Sequence, residues 1–298
     1  MVNDFVYKGR LPELEIAFSF AVTTGVANDA VLRHDCGPVS AHILGRALNA
    51  GLLSSTLLAE DERVNIRWHY DGNLKTLIVD AGADSTVRGF VSPRDLSSNS
   101  GDADDVFGEK GQITAVRSKE GQVLSHGTAD APMRHVAQDL AYFYSVSEQV
   151  ETGITIMIGL QADVRCPVSL CRGLMIQALP ECDLERFGAV RTQLEADPFR
   201  QLMARESEAD SHFETIMNSL LADVAPETQM EFAASATPRF VCTCTRDKMG
   251  AVLRTLPYGE RMSMAKAKED VAVNCQFCSK RYVLTIDDCI KAWNEKPL

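Results

Sequence analysis

The chain reads as an α+β protein in three parts. A mixed sheet-and-helix N-terminal domain is expected over 1–182, a helical linker over 183–238, and a small C-terminal four-cysteine module over 239–298. Three observations carry that reading. Within the first 180 residues the apolar period alternates between helical and two-residue spacing, without a strict βα repeat. From Pro180 to about residue 224 the pattern is helical only. After Pro238, four cysteines fall in two close pairs, Cys242-Thr243-Cys244 and Cys275-Gln276-Phe277-Cys278, with thirty residues between the pairs.

Residues 39–58 predict a helix that is apolar around most of its surface. Val39, Ile43, Ala47, Ala50 and Leu53 run down one side, with Leu44, Leu48, Leu52 and Leu58 beside them. Such a helix is normally buried. Val64, Ile66, Trp68 and Tyr70 then alternate with polar residues, as in a half-buried strand. Asp71-Gly72 turns the chain into a second strand over Leu74–Val79, and Val87, Gly89 and Val91 suggest a third. Residues 94–110, centred on Ser97-Ser98-Asn99-Ser100-Gly101, predict a surface loop. Short strands are expected at Ile113–Val116 and Gln122–Ser125, around the turn Lys119-Glu120-Gly121. Asp130 is a candidate cap, with Pro132 in the first turn, for a helix bearing Val136, Leu140 and Phe143. Ile154 to Leu160 alternate again, and Leu174–Leu179 reads as a closing strand.

In the second part, Leu184, Phe187 and Leu194 start a helix that Asp197-Pro198 interrupts. Phe213, Ile216, Met217, Leu220, Leu221 and Val224 then form an apolar stripe, opposed by Arg205, Glu206, Glu208, Asp210 and Glu214. Residues 225–238, with Pro226 and Pro238, are the best linker candidate.

The composition excludes several classes. Apolar content of 45% and charged content of 24% suit a globular protein. No apolar run approaches the length of a membrane span, and Glu13 and Glu15 occupy the place of a signal peptide's basic flank. Nine cysteines, five of them scattered (Cys36, Cys166, Cys171, Cys182, Cys289), do not make a secreted disulfide scaffold. A reducing compartment, most simply the cytoplasm, is expected. The net charge of −11 divides unevenly: 1–238 carries 19 Lys+Arg against 34 Asp+Glu, and 239–298 carries 11 against 7. An acidic body with a mildly basic tail disfavours a general nucleic-acid binder. No phosphate-binding glycine loop of either standard spacing occurs.

The C-terminal module holds few core residues and needs a staple. Thr245 can cap a helix carrying Met249, Val252, Leu253 and Leu256, and Thr285 with Asp288 forms a capping box for a last helix with Ile286, Ile290 and Trp293. Cys242, Cys244, Cys275 and Cys278 offer zinc a closed all-thiolate tetrahedron, the alternative being four unrelated buried thiols. Arg239, Arg246, Lys248, Lys280 and Arg281, each close in sequence to a ligand, can offset the charge. The site can be static or redox-active. A disulfide across Cys-x-Cys closes a small strained ring, and strained disulfides are the labile, regulatory ones.

Phe240 to Arg246, Leu253-Arg254-Thr255-Leu256-Pro257 and Cys275-Gln276-Phe277-Cys278 closely resemble the redox-switch domain of the heat shock protein 33 chaperones. Asp139 to Phe143 with Ser147-Glu148-Gln149, and Leu52–Leu58 followed by the Trp68–Gly72 hairpin, resemble that family's N-terminal domain. The resemblance implies an ATP-independent holdase, inactive while reduced and zinc-bound. It implies activation by oxidation to two disulfides, Cys242–Cys244 and Cys275–Cys278, with release of zinc, loss of order in the linker, exposure of apolar surface to unfolded proteins, and homodimer formation. Met203, Met217 and Met230 can serve an adaptable surface or ordinary packing. Cys166, Cys171 and Cys182 read as buried packing or as a second oxidation site.

Two rivals come from other classes. A zinc-ribbon nucleic-acid module is favoured by the basic tail and opposed by the acidic body. An enzyme is suggested only by His34-Asp35-Cys36-Gly37, where adjacent residues seldom point at one another as a catalytic pair must. No catalytic residue is therefore expected.

Overall fold

The computed structural model describes residues 3–96, 103–205 and 211–294. It divides into two compact units, 1–240 and 241–298.

The first unit begins with β1 (Phe5–Leu11) and β2 (Ile16–Val22), followed by α1 (Thr24–His34) and α2 (Pro38–Ser55). Strands β3 (Glu62–Tyr70), β4 (Thr76–Gly82) and β5 (Thr86–Ser92) form a meander. A short helix α3 (Ala103–Phe107) precedes the hairpin β6 (Gly111–Lys119) and β7 (Gln122–Asp130). Then come α4 (Val136–Ser147), β8 (Thr152–Leu160) and β9 (Val168–Ala178). Three helices follow: α5 (Leu184–Glu195), α6 (Asp197–Met203) and α7 (Ser211–Leu221). The short strands β10 (Glu231–Ala234) and β11 (Arg239–Phe240) close the unit.

Two sheets result. One runs β10-β1-β2-β9-β8, and the other β11-β5-β4-β3-β6-β7. Every pairing is antiparallel except β11 on β5. Helix α2 packs against strands of both sheets, which is why 14 of its 18 residues are buried and why its sequence is apolar all round. Glycine permits the close approach: a Cβ on Gly51 would collide with Val79 of β4, and one on Gly45 with Ile158 of β8.

One face of the five-stranded sheet carries Ile16, Phe18, Phe20, Leu174 and Ile176, and α5–α7 cover it. Phe187, Val190, Leu194, Phe199, Met203, Ile216, Met217 and Leu220 supply the covering layer. Phe213 sits in an aromatic nest, its ring 4.9–5.1 Å from those of Tyr7, Phe20 and Phe232. Arg172 of β9 is 3% exposed and donates to the carbonyls of Met203 and Arg205 at 2.9 and 3.1 Å, tying down the end of α6. Burial lowers its pKa to about 10. The 184–224 stripe is thus packed on the sheet of the first unit, and Asp197-Pro198 divides it where expected. Glu206, Glu208 and Asp210, assigned above to the opposite face, lie outside the described residues, as does the segment 97–101.

Several local expectations need correction. Asp130 does not cap a helix: it ends β7, paired with Gln112. Helix α4 starts at Val136, and the His135 ring accepts from the Gln138 N–H. Asp139 folds back to accept from the N–H groups of Met133 and His135 and from the Tyr70 hydroxyl at 2.6 Å. The stretch 225–238 is not wholly irregular, since β10 extends the sheet through β1. Arg239 belongs to β11, paired with Thr86, and not to the cysteine unit.

The second unit contains α8 (Arg246–Val252), α9 (Tyr258–Ala267), the hairpin β12 (Val271–Asn274) and β13 (Arg281–Leu284), and α10 (Ile286–Asn294). Its small core is Leu253, Leu284 and the fully buried Cys289, with Leu256, Val271, Ile286 and Trp293 packed around them. Among the described residues of the molecule, no helix is long and apolar enough to cross a membrane.

Candidate metal centre

Two turns bring the cysteine pairs together. Cys244 precedes α8, whose first turn is capped by the Thr245 hydroxyl accepting from the Lys248 N–H at 3.2 Å. Cys275 follows β12. Its N–H donates to the Lys280 carbonyl at 2.9 Å, and its carbonyl accepts from the Ser279 N–H at 2.8 Å. Ser279 takes the left-handed conformation (φ 58) that lets this turn close over the sulfurs. The capping box at α10 forms reciprocally, Thr285 N–H to Asp288 at 3.0 Å and Asp288 N–H to Thr285 at 3.2 Å. Arg246 reaches Asp288 at 2.6 Å and joins α8 to α10.

The four Sγ atoms of Cys242, Cys244, Cys275 and Cys278 all lie within 4.8 Å of one another. Cys242 to Cys275 is 3.7 Å and Cys244 to Cys278 is 3.4 Å. A tetrahedral ion with metal–sulfur bonds of about 2.3 Å requires sulfur–sulfur edges of about 3.8 Å. The donor set and its spacing therefore suit such an ion, and the alternative of four unrelated thiols does not hold. Cys275 is 4% exposed and the other three are half-buried.

Cys244, Cys275 and Cys278 influence one another's ionisation. Burial opposes ionisation of Cys244, but hydrogen bonds from the Tyr282 hydroxyl and the neighbouring thiols outweigh it and bring its pKa down to about 7. Burial, reinforced by its sulfur neighbours, pushes Cys278 up to about 12, and burial raises Cys275 even though the backbone N–H groups of Cys278 and Phe277 favour its thiolate. A cation held among the sulfurs favours their thiolate forms. Lys248 stands close by, donating from Nζ to the Thr243 carbonyl at 2.9 Å. Arg246 is committed to Asp288, and Lys280 stacks its ammonium 5.2 Å from the Tyr282 ring centre. Tyr282, to which the sequence assigns no role at the site, places its hydroxyl 3.2 Å from Cys244 Sγ.

The other cysteines are dispersed through the first unit and the second core. Cys171 is buried, its thiol pushed up to about 12 by burial, and it accepts from Thr23 Oγ1 at 3.2 Å. Cys182 donates to the Leu14 carbonyl at 3.2 Å, and Cys166 faces the Val168 carbonyl at 3.8 Å. Cys166, Cys171 and Cys182 thus serve separate local contacts. His34 is fully buried with Nε2 3.0 Å from the Gly89 carbonyl, and the half-buried Cys36 packs against the cluster of Ala27, Val31 and Ala41, burial raising its thiol to about 11.

Comparison with known proteins points to one family. The family model for Hsp33 protein matches residues 4–285. The 33 kDa chaperonin of Clostridium botulinum strain Langeland is 25% identical over 293 residues, covering 96% of each chain. That of Geobacter sulfurreducens is 27% identical over 301 residues, covering 97% of this chain and 94% of the relative. The crystal structure of the 33 kDa chaperonin (HSP33) of Thermotoga maritima shares the fold, with a TM-score of 0.78 at 21% identity over 98% of each chain. A family match across nearly the whole chain, relatives of matching length and a shared fold place this protein in the Hsp33 family of chaperones.

Proposed function

We propose that Cys242, Cys244, Cys275 and Cys278 hold zinc while reduced, and that their oxidation converts the protein into an ATP-independent holdase. The convergence of the four sulfurs within 4.8 Å carries this reading. When bound, zinc supplies the positive charge that stabilises four thiolates and cross-links β12, β13 and the segment before α8. The unit 241–298 has a small core, so much of its folding energy depends on that cross-link.

All nine cysteines are free thiols in the structure. Oxidation to the disulfides Cys242–Cys244 and Cys275–Cys278 consumes the donor set, and the second unit then loses its staple. Phe240, 9% exposed in the first unit and stacked 5.4 Å below the Arg33 guanidinium, lies two residues before Cys242. Disorder in the second unit reaches the first through this short connection. Release of 183–238 then uncovers the apolar layer of α5–α7 and the sheet face that holds Phe18 and Phe20. An exposed face of that kind binds unfolded chains and, at sufficient concentration, a second copy of the protein. The domain division 1–182, 183–238 and 239–298 is a division by role in this switch, with α5–α7 and β10 of the middle segment packed on the first sheet in the reduced state. A reducing cytoplasm suits a switch whose resting state is the free thiol.

The test is light scattering of an aggregating client in the presence of reduced or peroxide-treated protein. Suppression by the oxidised form alone supports the reading. Equal protection in both states rejects the switch, and no protection in either rejects holdase activity.

A further inference from the structure

We propose that the Tyr282 hydroxyl shields Cys244 in the reduced cluster and sets the rate at which that sulfur is oxidised. This rests on the redox reading above and assigns it a gating residue. Tyr282 lies on β13 and Cys244 before α8, 38 residues apart, yet the hydroxyl is 3.2 Å from Cys244 Sγ and 3.0 Å from Cys244 O. The phenol has one proton and two acceptors on the same residue. While Cys244 is a thiolate, the charged sulfur is the stronger acceptor, and the O–H occupies one of its lone pairs. Once Cys244 is in a disulfide, its sulfur is a poor acceptor and the proton is best placed on the carbonyl. The hydroxyl therefore favours the reduced form and withdraws electron density from the sulfur that an oxidant must meet.

The step it controls is the attack of the thiolate on a peroxide. An S–O bond forms, the O–O bond breaks, sulfur loses two electrons and hydroxide leaves. A neighbouring thiolate then attacks the sulfenic sulfur, forming the S–S bond as the S–O bond breaks and a second hydroxide departs. Two thiols and one peroxide give one disulfide and two waters. The Tyr282 proton is not consumed; in the metal-loaded protein, where Cys244 would be a thiolate with or without the phenol, removal of the hydroxyl raises the nucleophilicity of the sulfur without altering the stoichiometry.

Full-length, reduced, metal-loaded protein is exposed to hydrogen peroxide, and thiol loss at each cysteine is followed by isotope-coded alkylation and mass spectrometry. Tyr282→Phe keeps the ring and its contact with Lys280 while deleting the donor. Cys244 oxidation is expected to accelerate about tenfold, the ratio corresponding to the lower range for a hydrogen bond to a charged group. Replacement of Tyr282 by 3-fluorotyrosine strengthens the donor, and at mildly acidic pH, where that phenol stays protonated, oxidation is expected to slow. Loosened packing would accelerate both variants, so opposite shifts identify the hydrogen bond. Unchanged rates, or shifts in the same direction, overturn the proposal while leaving the redox reading standing. Absence of oxidation at all four cysteines in the unmodified protein refutes the redox reading and the proposal with it.

Discussion

Truncation of Phe213 to alanine should switch the reduced protein partly on. Phe213 is 2% exposed and is the residue of α7 that enters the aromatic nest of Tyr7, Phe20 and Phe232. A buried Phe→Ala change costs about 3–5 kcal/mol, from lost transfer energy and the cavity left behind. That is a large share of the roughly 5–15 kcal/mol that holds a typical domain together. The loss falls on one helix, so it appears mainly as local opening of α7. At the lower figure of about 3 kcal/mol, amide exchange in 211–221 accelerates by about two orders of magnitude. Exchange in β3 and β4, on the other sheet, stays near that of the parent protein. The assay is hydrogen exchange with mass spectrometry on reduced, metal-loaded Phe213→Ala, run beside light scattering of a client. Accelerated exchange together with suppression of aggregation in the absence of oxidant is the expected result. Acceleration without suppression would show that the surface beneath α7 is not the client surface. Unchanged exchange would refute the packing argument itself.

Three further outcomes follow from other parts of the molecule. Burial, with the Arg46 charge adding to it, holds the imidazoles of His42 and His135 at about 4 against the ordinary 6.5. Both are neutral in the folded state, so the unfolded chain takes up protons first. Their contribution to stability is therefore full above about pH 6.5 and is lost as pH falls towards about 4. A double change, His42→Gln with His135→Asn, should flatten the slope of Tm against pH in that window, Asn preserving the cap of α4; an unaltered slope would contradict it. Cys275→Ser should abolish metal retention and remove the protection of 241–294 against proteolysis, while the first unit melts as before; retained metal would contradict the ligand assignment. Gly51→Val should force α2 away from Val79 and lower Tm, by about 1–3 kcal/mol in stability terms on the usual scale of overpacking; an unchanged Tm would show that the helix has room to shift.

What the sequence revealed depended on whether local pattern matched local burial. Strand β3 alternates cleanly because only one of its faces is buried, and α2 stood out because both of its sides are covered. Strand β2 escaped detection for the opposite reason. Its burial is almost continuous, with α2 on one face and α5–α7 on the other, and the second face carries the small residues Ala17, Ser19 and Ala21, so Ile16–Val22 reads as a mildly apolar run rather than as an apolar–polar alternation. Helix α1 buries Ala27, Ala30 and Val31, side chains too small to make a strong apolar stripe. Strand β10 is exposed throughout and is a strand only because β1 offers it an edge, which no local signal encodes. The Asp130 error came from a polar residue near a proline that the hairpin had already claimed. At the site, the four converging cysteines were legible because each pair is local in the chain and the paired spacing is specific. Tyr282 was not, because its role depends on β13 bringing it against a residue 38 positions away.

Native mass spectrometry of protein purified without oxygen, before and after peroxide, tests the central claim most directly. The account predicts one zinc ion per chain in the reduced protein. After peroxide it predicts a metal-free chain lighter by four hydrogens, with both disulfides confined to Cys242, Cys244, Cys275 and Cys278. A reduced chain that carries no metal, or an oxidised chain that retains its metal and all four thiols, would contradict it.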